Sequence, residues 1–154
     1  MPEIRKATEE DLPDLIVIGW EFSKYSGAGS FGLGFDLPLF SDFMKILISR
    51  QDCIVLVAIG EDSKVLGTIG GILEPWLANP GQRVAAELWW WVDKDVRGSG
   101  ISQNLISEFE AWAKEKEAAA LRMHSLANKR QADLDRFYLK HGFSPVDHVF
   151  MKGL

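Results

Sequence analysis

Apolar positions change their period several times along this chain, and each change marks a predicted element. Leu12, Leu15, Ile16, Gly19 and Phe22 recur at three- and four-residue intervals, which predicts a helix over 7–22. Thr8 is its expected cap, with Asp11 three residues on as a weaker capping box. Residues 41–49, "SDFMKILIS", predict a shorter second helix with Ser41 as cap. The period then falls to a continuous apolar run, "CIVLVAIG", which reads as a buried strand. A turn at 61–64 leads to its antiparallel partner over 65–75, and "VAAELWWWV", 84–92, is the third strand of the group. Ile101, Leu105, Phe109 and Ala113, joined by Trp112, form one helical face within 99–117. A strand over 119–127, a helix over 130–141 ending at Gly142, and a closing strand over 146–153 complete the pattern. With a short first strand at 3–7 the order is β-α-α-β-β-β-α-β-α-β. An α/β fold follows, with a mixed sheet and helices on both faces.

Two segments resist a regular reading. Residues 26–40 are rich in Gly and aromatics, and 76–83 contain Asn-Pro-Gly; both predict loops. No repeat, low-complexity stretch or boundary divides the chain, so 1–154 is expected to be a single domain. At 47% apolar and 25% charged residues it has the composition of a folded globular protein. A net charge of −5 argues against nucleic-acid binding. The longest apolar runs are far too short to cross a membrane, and "MPEIRKATEE" has no signal-peptide core; the expected location is cytoplasmic. The one cysteine, Cys53, allows no intrachain disulfide, and the three histidines have no metal-ligand spacing, so no metal is expected.

The candidate chemistry lies between the three tryptophans and the next helix. Gly98 and Gly100 let the backbone turn sharply and let another group approach it. The first N–H groups of the following helix are unpaired and carry the positive end of its dipole. That arrangement suits a phosphate or pyrophosphate; a plain strand-to-helix turn is the competing reading. A dinucleotide fingerprint fails at Gln103, and a P-loop fails for want of Gly-Lys-Ser/Thr.

Arg97-Gly98-Ser99-Gly100-Ile101-Ser102, the preceding "AELWWWVDKDV" and the C-terminal "RFYLKHGFSPV" resemble the GNAT superfamily of N-acetyltransferases. The resemblance runs over the whole chain in element order and includes two separate motifs. Two positions depart from the pattern: Ser102 replaces Gly or Ala, and Lys94 replaces a proline. The resemblance implies a sheet of six to seven strands with about four helices. It implies acetyl-CoA as cosubstrate and a small-molecule or peptide amine as acceptor; a homodimer is compatible with it. The pantetheine arm would lie between two parting strands, against the backbone of Trp90 and Val92. The pyrophosphate would rest on the amides of Val96, Arg97, Gly98, Ser99, Gly100, Ile101 and Ser102. Asn128 is a further candidate for a pantetheine contact, although it stands one helical turn further from Tyr138 than the family's usual spacing.

A lysine-like amine with a pKa of ~10.4 loses its proton at a cost of roughly 4–5 kcal/mol at neutral pH. A general base is therefore useful. Glu87, on the third strand of the group, is the first candidate and Glu74 the reserve; an exposed or ion-paired structural carboxylate is the alternative for Glu87. Tyr138 matches the family's tyrosine that protonates the departing thiolate, with a core-edge tyrosine as the alternative. His124 and Ser125 read as packing. Cys53 lies away from the motif, so direct attack by the amine is expected. A non-catalytic acyl-CoA-binding module of the same fold is the rival reading.

Overall fold

The structure, a computed structural model, describes residues 2–154. Its elements are β1 (Glu3–Lys6), α1 (Leu12–Tyr25), α2 (Leu37–Ser49), β2 (Cys53–Ile59), β3 (Val65–Trp76), β4 (Asn79–Val92), α3 (Ile101–Glu115), β5 (Ala120–Arg122) and α4 (Gln131–Lys140). The strands form one sheet in the order β1-β2-β3-β4-β5. The first three pairings are antiparallel, and β4 and β5 are parallel. A parallel pair needs a long crossover, and α3 supplies it.

Each face of the sheet has its own core. Ile54, Ile69, Leu73, Leu105, Phe109 and Trp112 pack under α3 and α4. Leu15, Met44, Leu47, Val55 and Val57 pack under α1 and α2. Adjacent glycines on β3 serve both faces. A Cβ on Gly70 would stand 2.1 Å from the Trp89 indole, and one on Gly71 would stand 2.4 Å from the Phe109 ring. Each aromatic ring thus occupies the space that a side chain would need.

Three local expectations are corrected. The described residues form five strands rather than six or seven, because 146–153 form none. β-branched residues there are not enough: a strand exists only with a ladder partner, and this segment has none. Consequently Val149 and Phe150 are exposed. The second helix begins at Leu37, before Ser41, because Asp36 caps it by accepting the Leu39 N–H at 3.0 Å. The expected loop at 76–83 is largely strand, since β3 and β4 pair as far as Trp76 and Asn79.

Candidate active site

β4 has a strand partner on each side only as far as Ala86. Val84, Ala85 and Ala86 pair with Ala120, Leu121 and Arg122. Beyond that point β5 ends and the two chain segments part, leaving one edge of β4 open. The Asp93 N–H reaches across to Leu66 O on β3, at 2.9 Å. Polar groups of successive residues alternate in direction along an antiparallel strand. Trp91 therefore faces β3, while Trp90 and Val92 turn their main-chain groups to the open edge, where the Val92 carbonyl accepts from Arg97 Nε.

A one-residue bulge lies just inside the parting point. Gly70 stands opposite Trp89 and Gly71 opposite Glu87, so Leu88 is an extra residue on β4. A bulge shifts the alternation of side chains by one. Glu87 therefore shares the α3/α4 face with Trp90 and Val92. Trp89 joins the α1/α2 core, and Trp91 meets Phe22 and Tyr25. Leu88 itself is 39% exposed. The three tryptophans thus divide between the faces, as strand geometry requires.

The two candidate catalytic residues meet at His124. Glu87 is 5% exposed. Its Oε2 accepts the His124 main-chain N–H at 2.9 Å and lies 3.1 Å from the His124 ring Nδ1. The Tyr138 hydroxyl donates to His124 O at 2.8 Å. The carboxylate replaces the ladder partner that β4 no longer offers to the chain after β5. Its hydrogen bond holds the imidazole pKa above its ordinary value, against the lowering effect of burial. Burial, then the charges of Glu87 and Asp135, push the Tyr138 phenol far above its ordinary range, so it stays protonated. Sequence reasoning set His124 aside as packing. Its only signal was its place on the segment opposite Glu87.

The C-terminal motif positions Tyr138. Gly142 has φ +84°. The Gly142 N–H donates to Leu139 O and the Phe143 N–H to Tyr138 O, at 3.3 and 3.1 Å. These are the two bonds of a Schellman cap. The Phe143 ring contacts Tyr138, with centroids 5.3 Å apart. The Gly-Phe pair therefore ends α4 and fixes the ring of the tyrosine one turn back.

The glycine turn is open in part. Gly98 and Gly100 have φ of +87° and +90°. The first amide bonded into α3 is that of Asn104, to Gly100 O at 3.0 Å. Among the described residues, no backbone acceptor pairs with the amides of Arg97, Gly98, Gly100, Ile101, Ser102 or Gln103. Two expected amides are corrected: the Val96 N–H donates to Asp93 O and the Ser99 N–H to Val96 O. Gln103, which the sequence reading did not include, joins the open set. Arg97 folds back, donating from Nε to Val92 O at 3.0 Å and lying 5.2 Å from the Trp91 ring.

Two other candidates are engaged elsewhere. Asn128 Oδ1 accepts the Arg130 N–H at 2.9 Å, so that oxygen shapes the entry to α4. Glu74 pairs with Arg122 at 2.5 Å, across β4 and short of the parting point. Cys53 is buried at the start of β2, and burial raises its thiol pKa.

The parting strands also hold unpaired polar atoms. Among the described residues, three buried side-chain atoms lack a hydrogen-bond partner: Trp90 Nε1, Arg122 Nε and Ser125 Oγ. All three lie on β4, on β5 or just after it. Native proteins keep such atoms few, and these three belong to the two segments that flank the parting point. Among the described residues no group of three His, Cys, Asp or Glu could hold a metal, and no helix is long and apolar enough to cross a membrane.

Solved structures share the whole fold. A transcriptional regulator from Bacillus halodurans is 20% identical, with all of both chains covered and a TM-score of 0.77. The aminoglycoside antibiotic 6'-N-acetyltransferase of Acinetobacter baumannii is 19% identical over 100% of this chain and 99% of its own, with a TM-score of 0.74. An acetyltransferase of Trypanosoma brucei is 18% identical, with full coverage of both chains and a TM-score of 0.71. No curated protein matches the chain significantly in sequence. The model of the acetyltransferase (GNAT) family matches residues 20–143, and the chain belongs to that family.

Proposed function

We propose that the protein transfers an acetyl group from acetyl-CoA to a primary amine by direct attack in a ternary complex. The observation that carries this reading is the convergence at the parting strands. The edge of β4 opens there, and His124 ties Glu87 to Tyr138 beside it. The left-handed glycine turn lies at the end of the same edge.

The residues present fit the cosubstrate. The Trp90 backbone and the Val92 N–H offer partners to the pantetheine arm, and the open amides from Arg97 to Gln103 offer donors to the pyrophosphate. Acetyl-CoA supplies the activated thioester. The amine nitrogen bonds to the thioester carbonyl carbon, and the carbon–sulfur bond breaks. A main-chain N–H on the open edge of β4 donates to the carbonyl oxygen as charge develops there. Glu87, directly or through the His124 imidazole, accepts the proton from the amine. Tyr138 releases His124 O and gives its proton to the departing sulfur. Cys53, buried with a raised thiol pKa, takes no part.

Free-thiol release from acetyl-CoA in the presence of primary amines tests this reading, together with calorimetry of acetyl-CoA binding. Binding with amine-dependent thiol release is the expected result. Tight binding with no thiol release from any amine would favour a non-catalytic acyl-CoA-binding module.

A further inference from the structure

We propose that the acceptor amine carries an apolar body of aromatic size, which fills a cavity on the α1/α2 face of the sheet. The inference rests on the acetyl-transfer reading above and names its substrate class. The cavity encloses about 290 Å³ between α1, the 26–35 segment, α2, β3 and β4. Phe22, Phe35, Phe40 and Met44 line its walls, and Trp89 and Leu88 close it at β4. Leu88 is the bulged residue. Its neighbour Glu87 faces the other side of the sheet, at the point where β4 leaves β5. The β4 wall of the cavity therefore ends where β4 leaves β5, and an acceptor nitrogen at the Leu88 end would reach the Glu87 side through the gap between the parting strands.

Its chemistry limits what can fill it. No Asp, Glu, Lys, Arg or His lines the cavity. The hydroxyls at its edge are already engaged. Ser23 donates to Trp20 O at 2.8 Å, Ser26 donates to Ser23 O at 2.9 Å, and Thr68 Oγ1 accepts the Trp89 indole N–H at 3.4 Å. A polycation would bury ammonium groups with no counter-charge, which is strongly unfavourable. A monoamine with one aromatic ring would bury only apolar surface and keep its nitrogen at the Leu88 end. Apolar surroundings also lower an amine's pKa, which raises the fraction in the reactive neutral form.

The test compares 2-phenylethylamine and tryptamine with ethylamine, spermidine and kanamycin as acceptors, by thiol release from acetyl-CoA. The aromatic amines should show kcat/KM at least about 10-fold above the others, following the selectivity of apolar pockets for added carbon. Phe35→Ala removes a wall on a partly exposed segment. It should raise KM for 2-phenylethylamine several-fold more than it raises KM for ethylamine, whose short body does not reach that wall. Higher kcat/KM for spermidine or kanamycin than for the aromatic amines would overturn the assignment. So would octanoyl-CoA binding that is tighter than acetyl-CoA binding and weakened by Phe35→Ala, since the cavity would then hold an acyl chain. If acetyl-CoA binds but no aromatic amine reacts, the acceptor assignment alone falls. If acetyl-CoA does not bind, the transfer reading falls and takes the assignment with it.

Discussion

The Glu87 carboxylate accepts the main-chain N–H of His124 at 2.9 Å, and the carbonyl of the same histidine accepts the Tyr138 hydroxyl at 2.8 Å. One peptide segment therefore ties the candidate base on β4 to the candidate acid on α4. The arrangement exists because β5 ends at Arg122, which leaves the next backbone groups without a strand partner.

Tyr138→Phe separates structural from chemical roles. It leaves His124 O without its donor, which should cost about 1 kcal/mol of stability. The ring's contacts with Trp90 and Phe143 remain. If the hydroxyl protonates the thiolate, kcat falls by about 10²–10⁴-fold with acetyl-CoA affinity unchanged. Steady-state kinetics and a urea titration read the two effects separately. Wild-type kcat with every acceptor would mean that water supplies the proton.

Glu87→Gln keeps an oxygen for the His124 N–H, so the local fold should survive. As base, Glu87 matters most for acceptors that are mostly protonated. The kcat deficit should therefore grow with acceptor pKa, from an aniline to a lysine-like amine. A deficit that stays flat across the series would mark Glu87 as a structural carboxylate.

The His124 pair has a pH signature of its own. Its folded-state pKa lies above the unfolded value of ~6.5 because Glu87 favours the charged ring. The stabilisation is then fully present below ~6.5 and disappears as pH rises through the raised folded value. His124→Asn should be less stable than wild type at pH 5.5 and should approach it at pH 8.5. Urea midpoints at the two values check this, and a gap that widens with pH would contradict it.

Much of the architecture was legible because it rests on local pattern. The 3.6-residue spacing of Ile101, Leu105 and Phe109 places α3, and Gly142 marks the end of α4. What the pattern misses depends on distant partners. The run at 146–153 has strand composition but joins no strand ladder. The side to which Glu87 points depends on the Leu88 bulge, and nothing in "AELWWWV" announces an extra residue. His124 looked like packing because its role comes from a carboxylate 37 residues away. The turn was readable in outline from its glycines. Which amides stay open depended on loop bonds from Val96 and Ser99 that the motif does not encode.

The paired glycines of β3 should tolerate no side chain. Gly71→Ala places a methyl group 2.5 Å from Phe109 Cζ and 3.0 Å from Ala86 O. The ring is fully buried and the carbonyl belongs to β4, so neither has room to give. Overpacking of this kind costs about 1–3 kcal/mol. Gly98→Ala is the contrasting case on space, with nothing within 4 Å of its Cβ, although its positive φ still imposes strain. Chemical denaturation of both variants should rank Gly71→Ala as the more damaging.

Gly100→Asp tests the glycine turn most directly. Gly100 is the residue before α3 and has φ +90°, a conformation that L residues rarely adopt. A Cβ there meets nothing within 4 Å, so the fold loses only the cost of backbone strain. The carboxylate would stand beside the open amides of Ile101, Ser102 and Gln103. It would compete for those donors and repel a pyrophosphate, while partly satisfying the helix dipole that now faces solvent. Thermal stability should therefore change little, and acetyl-CoA affinity should fall below detection by calorimetry. Gly100→Ala carries similar strain without the charge and should keep measurable, weakened binding. If Gly100→Asp binds acetyl-CoA as wild type does, the pyrophosphate rests elsewhere and the turn is only a connection between β4 and α3. If both variants lose binding equally, backbone shape rather than charge governs the site.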